Sequence, residues 1–173
     1  MTASATCGRF VTILFTDLES HAEMMERLGD REGRTVLREH ERITRQKLRE
    51  NGGSEVKSMG DGFMASFESV SEALECAIQL QRAFRTHVEG GNEPIKVRVG
   101  INAGEPIAEE DDLFGTAVIL ASRVGSLAVG GEIRVSDVVR QIAAGKDFRF
   151  QDRGEATVRG FRDPIRTWQL DWE

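Results

Sequence analysis

The 173-residue chain has two cysteines, three prolines and no long apolar run, and each scarcity excludes something. Cys7 and Cys76 have neither Cys-x-x-Cys nor metal-ligand spacing, so they read as two reduced thiols rather than a disulfide or a zinc site. Pro94, Pro106 and Pro164 all fall between periodic segments, where they mark turns, and no Pro-rich, Ser-rich or low-complexity linker divides the chain. One domain over residues 1–173, with its core at about 9–171, is the expectation. The longest apolar stretches are only a few residues, and the opening MTASATCGRF has neither a basic cluster nor an apolar core. Both features argue against a membrane span, direct membrane insertion and a signal peptide, and a cytoplasmic protein is expected. Basic charge is also in short supply. The 23 Lys and Arg against 29 Asp and Glu give a formal net charge of −6, and no basic stretch is set aside to hold a phosphate backbone, so nucleic acid is not an expected partner.

What is present suits one compact core. Phe10 to Phe15 is short, apolar and β-branched, as a buried strand is, and it stops at Thr16-Asp17 before a helical stretch from about Ser20 to Leu28. Asp30 can cap a second helix that carries Leu37, Ile43 and Leu48 at helical spacing until Asn51-Gly52-Gly53 ends it. Glu55 to Met59 and Phe63 to Phe67 are strand-like and split by Gly60-Asp61-Gly62, a hairpin signal with Asp61 at its tip. Ser69 and Glu72 form a capping box ahead of the amphipathic stripe Val70, Ala73, Leu74, Ala77, Ile78 and Phe84. Ile95 to Ile101 alternates as a half-buried strand, followed by a turn, a short strand around Ile107 and a helix from about Gly115 to Ala128. A strand at Ile133 to Val135, a short helix from Ser136 to Ala143 and closing strands near Phe148, Ala156 and Trp168 complete the chain. Up to Ile101 the order is β-α-β-β-α-β, which predicts an α+β, ferredoxin-like sandwich with additional C-terminal strands and helices.

In that plan the end of the first strand and the tip of the hairpin lie side by side, so Asp17 and Asp61 can share one edge of the sheet. Two carboxylates held together raise each other's proton affinity unless a cation intervenes, and hard oxygen donors with substrate phosphates suit magnesium. Aspartates at strand ends and hairpin tips are also ordinary turn formers, and spacing alone favours that plainer reading.

The surrounding motifs change the balance. FTDLESHAEMMERLGD, EVKSMGDGFMASF and LFGTAVILASRVG, with VRVGINAGEP before the third and GEIRVSD after it, together resemble the catalytic domain of class III adenylyl cyclases over nearly the whole chain. The resemblance implies the class III nucleotidyl cyclase fold. It also implies conversion of ATP to 3′,5′-cyclic AMP and pyrophosphate by a head-to-tail homodimer with composite sites and two Mg²⁺ or Mn²⁺ ions in each. By the same resemblance Asp17 and Asp61, with the backbone of Leu18, hold metal, while the turn Leu18, Glu19, Ser20, His21 and Ala22 holds phosphate, as free amides opening a helix can. Lys57 and Asp112 fall on the adenine-selecting pair and Arg123 on the arginine that stabilises triphosphate charge. A lysine can donate to adenine N1 and a carboxylate can accept from the 6-amino group, the reverse of what guanine requires. Asp112 also ends the acidic run Glu109-Glu110-Asp111-Asp112, and such runs ordinarily solvate a hairpin; Arg123 read alone is a surface helix arginine.

The chain departs from the family pattern at Ile119, where an asparagine usually positions the ribose, and at His21 and Ala22, which replace small hydroxyl residues. Near the C-terminus Arg159 or Arg162 stands where a phosphate-binding lysine is sometimes found. Two further readings therefore accompany the first: a nucleotide-binding, dimerising pseudo-cyclase with weak or no turnover, and, disfavoured by Lys57 and Asp112, a guanylyl cyclase. Other signatures fail. Gly60 to Ala65 fits G-x-G-x-x-A but leads into a strand rather than a helix, and His21, His40 and His87 lack ligand spacing.

Overall fold

The computed structural model describes residues 8–173, so Cys7 lies outside the described residues. The chain forms β1 (Val11–Leu18), α1 (His21–Glu50), β2 (Ser54–Ser58), β3 (Gly62–Phe67), α2 (Val70–Glu89) and β4 (Val97–Gly104). This is the expected β-α-β-β-α-β core. Helix α1 is broken at Gly29, whose φ of 79° and ψ of 172° leave the helical region, so the two helices inferred from Leu28 and Asp30 are two segments of one element. Ser69 caps α2 by accepting a hydrogen bond from the Glu72 amide.

Beyond the core come β5 (Ile107–Glu109), β6 (Asp112–Phe114), α3 (Thr116–Ser126), β7 (Ile133–Ser136), α4 (Asp137–Ile142), β8 (Phe150–Ala156) and β9 (Ile165–Leu170). Seven strands form one sheet in the order β2-β3-β1-β4-β7-β9-β8, antiparallel except for the β4–β7 pair. The extended segment around Ile107 pairs with β6 in a separate two-stranded ribbon that turns through Glu110 and Asp111, both at positive φ. Where two strands near Phe148 and Ala156 were expected there is one, β8. Its pairing with β9 shifts register between Asp152 and Glu155, at Gly154 with φ 73°.

Strand alternation divides the core. Leu14 and Leu18 of β1 join Val97, Val99 and Ile101 of β4 under α1 and α2, which contribute Leu37, Ile43, Leu48, Leu74 and Phe84. Ile13 and Phe15 point the other way, with Met64, to Ala117, Val118 and Ala121 of α3. The third helix, outside the initial core plan, thus covers the face opposite to α1 and α2. It sits unusually close to the sheet: a Cβ on Gly100 would stand 2.3 Å from the Gly125 nitrogen. Among the described residues, no helix is long and apolar enough to cross a membrane.

Candidate active site

Asp17, next to last in β1, lies directly opposite Gly62 of β3 on one side and Arg98 of β4 on the other. A Cβ on Gly62 would lie 2.0 Å from the Thr16 carbonyl oxygen, so only glycine lets the hairpin close against β1 there. The Leu18 amide donates to the Asp61 carbonyl at 3.1 Å, and the Phe63 amide donates to Thr16 Oγ1 at 3.1 Å. These bonds tie the hairpin tip to the end of β1. Asp17 and Asp61 line one cleft of about 210 Å³ together with Met59, Arg98, Ser122 and Ser126. The two acids expected at one sheet edge share that cleft.

Arg98 is the residue that sequence reasoning missed. Its Nε and Nη2 donate to the two Asp17 carboxylate oxygens at 2.6 and 2.8 Å, a bidentate fork, and Asp17 raises the arginine's already high pKa through that bond. The available signal was a cation on the Asp17 side of a central strand, flanked by buried Val97 and Val99, but its partner is set by register. Asp61 is held differently: its nearest basic group is His21, with Nδ1 3.7 Å from Oδ2.

The Leu18 to Ala22 turn is only partly free to bind a ligand. The Leu18 amide is engaged by Asp61, and the Glu19 amide donates to the Lys96 carbonyl at 2.9 Å. The Glu19 carboxylate accepts from the Gly130 amide at 3.1 Å. Ser20 adopts a left-handed conformation (φ 59°, ψ 35°) and precedes α1 without a side-chain cap. Among the described residues, no group accepts a hydrogen bond from the Ser20, His21 or Ala22 amides. Those three amides open the helix at its positive end, where anions are favoured.

The remaining residues lie elsewhere. Lys57 Nζ and Asp112 Oδ2 form an ion pair at 2.9 Å, joining β2 to the β5–β6 ribbon across 55 positions of sequence. Lys57 and then the Leu113 amide, which donates to Asp112 Oδ1 at 2.7 Å, hold the Asp112 carboxyl below its ordinary value. Arg123, on the last turn of α3, donates from Nε to the Arg159 carbonyl at 3.1 Å. Ile119, one turn earlier on the same helix, is 46% exposed. None of Lys57, Asp112, Ile119 or Arg123 lines the Asp17–Asp61 cleft. The candidate residues of one chain therefore fall partly inside that cleft and partly outside it.

Over residues 5–171 the chain matches the adenylate and guanylate cyclase catalytic domain family. The chain belongs to this family. The cyclase domain is 30% identical over 163 residues to putative adenylate cyclase 3 of Rhizobium meliloti (strain 1021), a match covering 92% of this chain and 28% of that protein. It is 32% identical to an adenylate cyclase of Podospora anserina, over 92% of this chain and 10% of that protein. It spans less than a third of these curated relatives. Among solved structures, the adenylate/guanylate cyclase/hydrolase from Silicibacter pomeroyi superposes with a TM-score of 0.82 at 33% identity, over 94% of this chain and 96% of that one.

Cyclase catalytic domains of this kind are divalent-metal dependent, and the residues present fit such an ion. Among the described residues, no three His, Cys, Asp or Glu side chains converge into a self-sufficient metal centre. One or two carboxylates facing an open cleft are what magnesium uses when phosphate oxygens and water complete its shell.

Proposed function

We propose that the cyclase domain converts ATP to 3′,5′-cyclic AMP and pyrophosphate in a head-to-tail homodimer, with Asp17 and Asp61 of one copy facing Lys57, Asp112 and Arg123 of the other. The observation that carries this reading is the separation just described. The carboxylates line one cleft, and the base-selecting pair and the arginine lie outside it, so a second copy related by a two-fold axis supplies each half-site with its complement.

In this reading Asp17, Asp61 and the Leu18 backbone hold two Mg²⁺ or Mn²⁺ ions. When bound, these ions lower the proton affinity of the ribose 3′-hydroxyl and neutralise the triphosphate and the departing pyrophosphate. The 3′-oxygen bonds to the α-phosphorus as the bond to the β-phosphate bridging oxygen breaks, and the hydroxyl proton passes to solvent. The chain's own groups position the reactants. The Ser20, His21 and Ala22 amides hold phosphate oxygens, and Arg98 adds a permanent positive charge to the cleft, which favours a polyanion there. Lys57 donates to adenine N1 while Asp112 accepts from the 6-amino group; guanine would leave both mispaired, and sites of this kind discriminate by about 10⁴ to 10⁵. Arg123 stabilises charge building on the triphosphate, with its planar fork held by the Arg159 carbonyl.

A second reading is favoured by one residue. Ile119, exposed on α3, offers the ribose no hydrogen bond, and losing a preorganised donor costs on the order of 10² to 10³ in rate. The domain would then chiefly bind nucleotide and dimerise. Cyclic nucleotide formation from ATP and GTP with Mn²⁺, in wild type, Asp17→Ala and Ile119→Asn, separates the possibilities. The adenylyl cyclase reading expects wild type to exceed the Asp17→Ala background with ATP, and Ile119→Asn to exceed wild type. No product from either wild type or Ile119→Asn supports the binding module instead, and faster turnover of GTP makes the domain a guanylyl cyclase.

A further inference from the structure

We propose that the His21 imidazole, through Nδ1, is a ligand of the divalent ion held by Asp61, and that this nitrogen donor biases the site toward Mn²⁺ over Mg²⁺. The inference rests on the metal-dependent cyclase reading above and adds a ligand and a metal preference to it.

His21 opens α1 with its Nδ1 3.7 Å from Asp61 Oδ2. That separation is too long for a hydrogen bond, but it suits two donors on either side of one cation. Metal–ligand bonds of about 2.1 Å place neighbouring octahedral ligands about 3.0 Å apart and opposite ones about 4.2 Å apart. A rotation of either side chain bringing them about 0.7 Å closer completes the neighbouring arrangement. Both groups are reachable, with side chains 31% and 37% exposed.

The two acids differ in what already holds them. Asp17 has both oxygens occupied by Arg98. Among the described residues, Asp61 accepts no side-chain hydrogen bond, and His21 is the only basic group within ion-pair distance of it. The imidazole's orientation agrees with a ligand role. Nε2 is buried without a partner among the described residues, so the exposed part of the ring lies away from Nε2. A ligating Nδ1 leaves the proton on Nε2, and metal-bound histidines ordinarily pass that proton's hydrogen bond to a carboxylate, carbonyl or water.

The metal preference follows from donor chemistry. Both ions suit carboxylate and water oxygens, but Mg²⁺ demands a near-ideal octahedron and dehydrates reluctantly, whereas Mn²⁺ exchanges a water for an imidazole nitrogen more readily. One nitrogen donor among carboxylates, phosphate oxygens and water therefore shifts selectivity toward Mn²⁺.

The test uses the whole domain grown with ¹⁵N-labelled histidine, of which the chain has three. It is loaded with Mn²⁺ and an ATP analogue carrying a methylene between the α- and β-phosphorus atoms. Pulsed electron paramagnetic resonance then reads ¹⁵N coupling to Mn²⁺, and the label separates histidine from adenine nitrogen. A ¹⁵N coupling in wild type that disappears in His21→Ala is expected, together with about a tenfold fall in Mn²⁺ preference over Mg²⁺ measured by competition. Mn²⁺ that binds in an Asp17-dependent way without histidine coupling, or coupling that persists in His21→Ala, overturns the inference and leaves the cyclase reading intact. No nucleotide-dependent Mn²⁺ binding in wild type overturns both. The decisive coupling is measured in the unmutated protein, and His21→Gln serves as the second variant if His21→Ala does not fold.

Discussion

His40 lies fully buried on α1, with its ring centroid 5.8 Å from those of both Phe63 and Phe84. Burial pushes its imidazole down from 6.5 to about 4, against smaller upward pulls from Glu41 and Asp61. The unfolded chain therefore takes up this proton at a higher pH than the folded one does. Stability is complete above pH 6.5 and declines as pH falls toward about 4, by roughly 3 kcal/mol from this one group. Denaturant unfolding between pH 7 and pH 4 should show that decline, and His40→Leu should flatten it; an equal slope in the two proteins would assign the acid sensitivity to other groups. Cys76 shows the same burial effect with the opposite sign, its thiol pushed up to about 12. Single residues were legible where a turn or a cap demands a residue type, as at Gly62 and Ser69. Arg98 was hidden because nothing near it in sequence names Asp17 as its partner.

Elements followed their periodicities where those were long, as in α2. They departed where the pattern was short or interrupted. Gly154 and the register shift beside it break the alternation of β8, so one strand resembles two, and the acidic run Glu109 to Asp112 is the turn of a ribbon outside the main sheet, with Glu109 and Asp112 as its closing pair. The packing of α3 against β4 depends on paired glycines: a Cβ at Gly100 would meet the Gly125 nitrogen, the Gly125 Cα and the Ala121 carbonyl, at 2.3, 2.4 and 2.7 Å. All three are backbone atoms and cannot rotate aside. Gly100→Ala should cost at least about 1 to 3 kcal/mol, lowering the melting temperature by about 2 to 4 °C for each kcal/mol in a chain of this size. In the proposed reaction α3 carries Arg123, and on that reading the same substitution should reduce cyclic AMP formation by more than its stability loss explains. An unchanged melting temperature would mean that the helix is free to shift away from the sheet.

For the assembled molecule, the proposed division of labour between two copies gives a complementation test. Asp17→Ala and Arg123→Ala should each be nearly inactive, yet an equimolar mixture should recover activity, because random pairing leaves about a quarter of the sites intact. No recovery, with dimers present by sedimentation, would place all the required groups within one chain. The ordered motifs were enough to specify the fold class, the family and the acids that share a cleft, because local chemistry dictates strand ends, caps and glycine turns. They could not specify that Arg98 grips Asp17, that two amides of the phosphate turn are already engaged, or that His21 faces Asp61. Those contacts join positions distant in the chain, and only sheet register and helix packing decide which distant side chains meet.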